Sequence, residues 1–91
     1  MREHKIKVNA AYWEPILEGD KNFEVRRDDR GYQKGDILVL QKWDNENSRY
    51  FFDGYSISSP IIELRREITF ILPGGQWGIE PGHVVMGLRE I

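Results

Sequence analysis

The chain is punctuated too often to build a long element. Apolar and polar residues alternate in short runs, "HKIKV", "NFEVRRD", "IIELRREITFIL" and "HVVMGLREI", broken by "GD", "KGD", "DG", "SP" and "PGG". A period of two marks strands with one buried face. Breaks at intervals of roughly ten residues point to a small barrel rather than stacked helices. The expected fold is therefore α+β and mostly β: five to six strands, largely antiparallel, with one early helix.

That helix is expected in "NAAYWEPILEG", with Asn9 as its N-cap and Gly19 as its stop. Pro15 is comfortable only in a first turn, which limits the helix to one or two turns. In "NFEVRRD" the alternation puts Phe23 and Val25 on one face, expected in the core, and Asn22, Glu24 and Arg26 on the other. "ILVLQKW" begins apolar on both faces and reads as a doubly covered strand. "DNENS" reads as a loop, and the aromatic run "RYFFDGYSIS" as a hairpin around Asp53-Gly54. After Ser59-Pro60, alternation gives Ile62, Leu64, Ile68, Phe70 and Leu72 one face. Arg66 breaks that face and requires a bulge or a buried partner. Val84, Met86 and Leu88 alternate in the last strand.

With 91 residues, 40% of them hydrophobic, the chain suits one modest core and a single domain over residues 1–91. It contains no cysteine, which excludes disulfides and thiolate metal sites and suits a reducing cytoplasm. "MREHKIKVNA" lacks the apolar segment of a secretory signal. No apolar run approaches the ~20 residues of a membrane span. The expectation is a soluble, cytoplasmic protein without a membrane partner. A net charge of −2, from 13 basic and 15 acidic residues, argues against a broad phosphate-coating surface and leaves room for a local pocket.

"GDKNFEVRRDDRG" packs eight charged residues into thirteen. Glu24 and Arg26 share a strand face and Lys21 stands at the strand's entry. Two readings remain open here. One is a row of surface ion pairs, worth at most about 1 kcal/mol each. The other is a site in which the cations take phosphate or carbonyl oxygen and the carboxylate accepts from a base's N–H groups. Arg30 belongs to the neighbouring "RRDDRG", whose plainer role is mutual neutralisation at a strand end. Trp77, in "PGGQWG", either stacks on a base from a mobile loop or folds back to anchor that loop. The loop lacks the ending of a phosphate-binding P-loop. Trp13 and Trp43 are expected in the core. His4 and His83 have no ligand spacing around them, so no metal site or cofactor is expected. The serines, at 48 and 56–59, have no histidine near them in sequence.

"GDKNFEVR" fits the pattern G-x-K-x-x-E-x-R, and with "YQKGDILVL" and the closing "ITFIL … GI … GHVVMGL" the chain resembles the ASCH family. "FEVRRDDRGYQKGD" is similar to a small bacterial and phage branch without an assigned function, in which Asp28 here replaces an Asn. "DGYSISSPIIELRR" fits the pattern least well. The resemblance implies a PUA-like barrel with the helix lying against it, and a cleft lined by Lys21, Glu24 and Arg26 that binds RNA. The first expectation is accordingly an RNA- or nucleotide-binding module using Lys21, Glu24, Arg26, Arg30 and Trp77, with RNA, a nucleotide or a modified nucleoside as partner. A second is a small amidohydrolase of acylated cytidine nucleosides, with Lys21 activating water or the amide and Glu24 shuttling a proton. The hydrolase branch carries Thr where this chain has Glu24, and a further downstream glutamate without a counterpart here. A third is a protein-interaction accessory domain that takes no nucleotide.

Overall fold

The computed structural model describes residues 1–91. In chain order it contains β1 (Glu3–Asn9), a 3-10 turn (Ala10–Tyr12), α1 (Trp13–Leu17), β2 (Phe23–Arg27), β3 (Ile37–Asp44), β4 (Arg49–Tyr50), β5 (Glu63–Pro73) and β6 (His83–Glu90). The strands form one sheet in the order β1-β3-β5-β6-β2, with β4 added to β3. The β1–β3 pair is parallel, with the helix and β2 in the crossover; the other pairs are antiparallel. The sheet curls into a half-barrel, the mostly-β architecture with one short helix that alternation and punctuation indicated.

The core lies inside this curl. Ile6 and Val8 of β1, Leu38 and Leu40 of β3, Ile68 of β5 and Val84, Met86 and Leu88 of β6 meet Trp13 and Ile16 of the helix. Residues Ile37 to Leu40 are all buried, as a doubly covered strand requires. The helix starts where Asn9 Oδ1 accepts from the Ala11 N–H at 3.0 Å, holds Pro15 within its single turn, and ends at Gly19, whose φ of 84° is left-handed. There the Gly19 N–H reaches the Ile16 carbonyl and the Lys21 N–H the Pro15 carbonyl, turning the chain back so that Lys21 enters β2 beside the helix.

Two polar groups are built into the interior. The His4 ring lies 2.8 Å from Asp36 Oδ2, both residues being buried, and His4 packs edge-on to Tyr32. Burial alone would raise the Asp36 pKa. Hydrogen bonds from His4 and from the Arg2 and Gln33 backbone N–H groups, with the pull of His4, outweigh it and hold the pKa at about 2. Arg66, the exception on an apolar face, lies 3.8 Å from Glu90 and aims Nη2 at the Ile16 carbonyl, 3.5 Å away, at the end of the helix. It supplies a cation where orphaned helix carbonyls collect.

The structure departs from the expected pattern in four places. Phe23 and Val25, expected in the core, are 42% and 51% exposed, whereas Glu24 is 5% exposed. As the sheet's last strand, β2 pairs only with β6, where Glu24 stands opposite Met86. Met86 faces the core, so Glu24 does too. Phe23 and Val25 share the outer face with Phe70, Leu72, Val85 and Gly87. Second, a bulge between Ile68 and Phe70 shifts the phase of β5, turning Phe70 out and bringing Ile71 against the core. Third, Asp53-Gly54 is not a tight hairpin. The hairpin joins β3 to β4 through residues 45–48, and 53–60 form a wider loop closed by Asp53 N–H on the Pro60 carbonyl. Fourth, Trp43 is half-buried and outside the core.

Candidate functional site

No backbone ladder joins β1 to β2, the two ends of the sheet. Arginine side chains bridge them. Arg26 Nη1 donates to the Lys7 carbonyl at 2.8 Å and Arg30 Nη1 to the Lys5 carbonyl at 2.7 Å. Arg2 in turn donates to the Arg30 and Gly31 carbonyls. Lys5 and Lys7 are two apart on β1, so both carbonyls leave the same strand edge. The arginines thus stand where ladder donors would otherwise be.

At the Lys7 end of this seam the strands part around a cleft of about 620 Å³, lined by Lys7, Val8, Asn9, Tyr12, Lys21, Phe23, Glu24, Val25, Arg26, Trp43 and Asn45. This is the size range of small-molecule sites. Glu24 lies deep within it. Its Oε1 accepts from Lys21 Nζ at 2.7 Å, and Lys21 Nζ also donates to the Phe23 carbonyl at 3.0 Å. The other oxygen, Oε2, accepts no hydrogen bond within the chain; its nearest cation, Arg26 Nη1, is 3.9 Å away. A carboxylate with an unfilled acceptor at the wall of a cleft is a place for a ligand N–H.

The rest of the wall is aromatic and cationic. Trp43 lies beyond the apolar part of β3 and is braced edge-on by Tyr50 of β4, with ring centroids 4.8 Å apart. Lys7 Nζ sits 3.9 Å from the Trp43 ring centroid. Lys21 Nζ lies 5.3 Å from the Tyr12 ring and 5.0 Å from that of Phe23. These cation–π contacts orient two ammonium groups around flat apolar surfaces.

Lys21, Glu24 and Arg26 therefore come together in one cleft. Arg30 lies further along the seam, committed to the Lys5 carbonyl. Trp77 does not line the cleft. It stands 84% exposed on the β5–β6 loop, which meets Asp28 past the far end of β2 through the Asp28 N–H and the Gly82 carbonyl. This loop is cross-linked by its own hydrogen bonds, Gly75 to Ile79, Ile79 to Gln76 and the Gln76 side chain to Pro73. It holds Trp77 at a left-handed φ of 54°, and the exposed ring is not a core anchor. Lys7, Tyr12 and Trp43 also line the cleft; none was expected there, and Trp43 was expected in the core. The one available signal was the change in β3 from "ILVL" to "QKW", which takes Trp43 out of the doubly covered part of the strand. No three His, Cys, Asp or Glu side chains gather as a metal-binding group.

A family model described as a domain of unknown function, DUF3850, matches residues 3–88, and the chain belongs to that family. An uncharacterised 12.9 kDa protein of the GpA 3′ region of Escherichia phage P2 is 45% identical over 40 residues, 44% of this chain and 37% of the phage protein. The chain thus matches little more than a third of that relative's length.

Proposed function

We propose that this member of the DUF3850 family is a nucleotide-binding module that holds one nucleotide, free or as part of an RNA, in the cleft between β1 and β2. The observation that carries this reading is the Glu24 carboxylate, deep in a cleft with aromatic walls, with one oxygen on Lys21 and the other without a donor. A purine or pyrimidine supplies both what the wall and the floor lack: a flat face for Tyr12 or Trp43 and an N–H edge for Glu24. Lys7, Lys21 and Arg26 supply positive charge for phosphate or carbonyl oxygen. The resemblance of "GDKNFEVR" to the ASCH motif supports the same reading, since it implies a cleft lined by the motif residues and a role in RNA binding. In the hydrolase alternative Lys21 activates water or the amide; here Lys21 Nζ is engaged by Glu24 at 2.7 Å and by the Phe23 carbonyl, which supports binding as the first reading.

The test is binding of nucleosides, nucleotides and short RNAs, followed by tryptophan fluorescence. Trp43 lines the cleft, so a bound base changes its emission; a Trp77→Phe background removes the exposed contribution, and loss of the change in Trp43→Phe assigns it to Trp43 rather than to the core Trp13. Glu24→Gln keeps the shape and replaces an acceptor with a donor. It is expected to lower affinity by about 1–3 kcal/mol with the fold intact. Unchanged emission and affinity with every ligand overturns the reading.

A further inference from the structure

The cleft's polar edge has a definite order. Glu24 Oε2 is an open acceptor, Oε1 is an acceptor with capacity beyond the one bond it receives, and Lys21 Nζ, bonded to Oε1, is a donor. Lys21 spends two of its donors on Glu24 Oε1 and the Phe23 carbonyl and keeps one. The complementary ligand edge reads donor, donor, acceptor. Among the four common bases only guanine presents that sequence, as N2–H, N1–H and O6. Adenine and cytosine turn a ring-nitrogen lone pair toward the carboxylate. Uracil flanks its single N–H with two carbonyls, one of which would face a Glu24 oxygen. The parallel pair of N–H···O contacts to one carboxylate also fixes the plane of the base, and Trp43 and Tyr12 are at hand in the cleft wall to cover it.

Charge then limits what the base carries. The lining holds Lys7, Lys21 and Arg26 against the single carboxylate of Glu24, an excess of two positive charges. A phosphate monoester brings about −1.5 to −2 at neutral pH and matches that excess. Beyond Asn9 and Asn45 the adjoining hollow is bordered by Asp44 and Glu46. A ribose-phosphate chain running that way would pass along carboxylates, which disfavours a strand threaded through the site.

We infer that the cleft selects guanine, presented as a nucleoside monophosphate or as the phosphorylated end of a chain rather than from within one. The inference rests on the nucleotide-binding reading above and can fail without it. The test is calorimetric titration with GMP, IMP, AMP, CMP, UMP and guanosine, together with a short RNA containing one internal guanine and another carrying a 5′-phosphorylated guanine at its end.

GMP is expected to bind tightest, at least about tenfold better than IMP, which lacks only N2, and by more over the other three. Guanosine is expected to lose at least about tenfold relative to GMP. The internal guanine is expected not to compete with GMP, whereas the terminal one does. Glu24→Gln is expected to bring GMP down to the level of IMP while the far-ultraviolet circular dichroism stays unchanged. The five monophosphates binding within about threefold of one another would overturn the guanine assignment and leave the nucleotide reading standing. Guanosine matching GMP, or an internal guanine competing as well as a terminal one, overturns the monophosphate assignment. Binding of none of these ligands overturns both.

Discussion

At the level of single residues, the pairing of Lys21 with Glu24 decides more than its surface-like sequence suggests. Glu24 is 5% exposed and the Lys21 side chain 18% exposed, so removing one partner leaves the other charge short of solvent. Lys21→Met is therefore expected to cost about 2–4 kcal/mol, well above the ≤1 kcal/mol of an exposed pair. Urea denaturation of that variant beside Arg65→Met, which breaks the exposed Arg65–Glu3 pair at 2.7 Å, checks the contrast. Equal losses would mean that the Lys21–Glu24 pair behaves as a solvated one. The alternation of "NFEVRRD" correctly separated Phe23 and Val25 from Glu24 and Arg26 but could not say which set faces inward. That choice is made by Met86 across the strand pair, 62 residues away in sequence. Hydrophobicity at β2 pointed the wrong way because β2 is the sheet's last strand, and its inner face is given to the site.

At the level of elements, the local signals were the readable ones. Asn9, Pro15 and Gly19 set the helix ends without help from the rest of the chain, and Ile37 to Leu40 declared a central strand by their run of apolar residues. The bulge after Ile68 was not readable in detail: Arg66 announced an irregularity, yet the phase shift falls later, at Thr69, and turns Phe70 out. The hairpin signal at Asp53-Gly54 lost to the Asp44 turn, where Oδ1 accepts from the Glu46 and Asn47 N–H groups. The β5–β6 loop gives a sharp test. A Cβ on Gly74 would collide with the carbonyl oxygens of Glu80 and His83, so Gly74→Ala is expected to cost about 1–3 kcal/mol. Gly75→Ala, which meets open space but holds a φ of 84°, is expected to cost about 1 kcal/mol. Thermal unfolding of the two variants checks this, and a Gly74→Ala variant no less stable than the parent would refute the tight closure of the loop.

At the level of the whole molecule, acid stability follows from the buried His4–Asp36 pair. The folded-state pKa of Asp36, about 2, lies below the ordinary carboxylate value of about 3.9. A depressed pKa stabilises the fold above the unfolded-state value, and that contribution is lost as pH falls from about 4 through about 2. The shift corresponds to roughly 2–3 kcal/mol. Asp36→Asn is expected to be less stable than the parent at pH 6 and to lose less of its stability between pH 4 and pH 2. Parallel stability-against-pH curves for the two proteins would remove the Asp36 contribution. No helix is long and apolar enough to cross a membrane.

The seam between β1 and β2 has a mechanical consequence. Every other line through this sheet is fastened by backbone groups that must part together. Here two long side chains hold the edges, and each can let go alone, gaining rotamer freedom as it does so. Warming should therefore loosen the molecule first along this line, beside the mouth of the cleft, while the β3–β5–β6 ladders stay shut. Amide exchange in the outer ladders, β1–β3 and β2–β6, would then rise at temperatures where Leu38, Ile68 and Met86 remain locked, and the route by which a ligand enters is the route by which the fold begins to open.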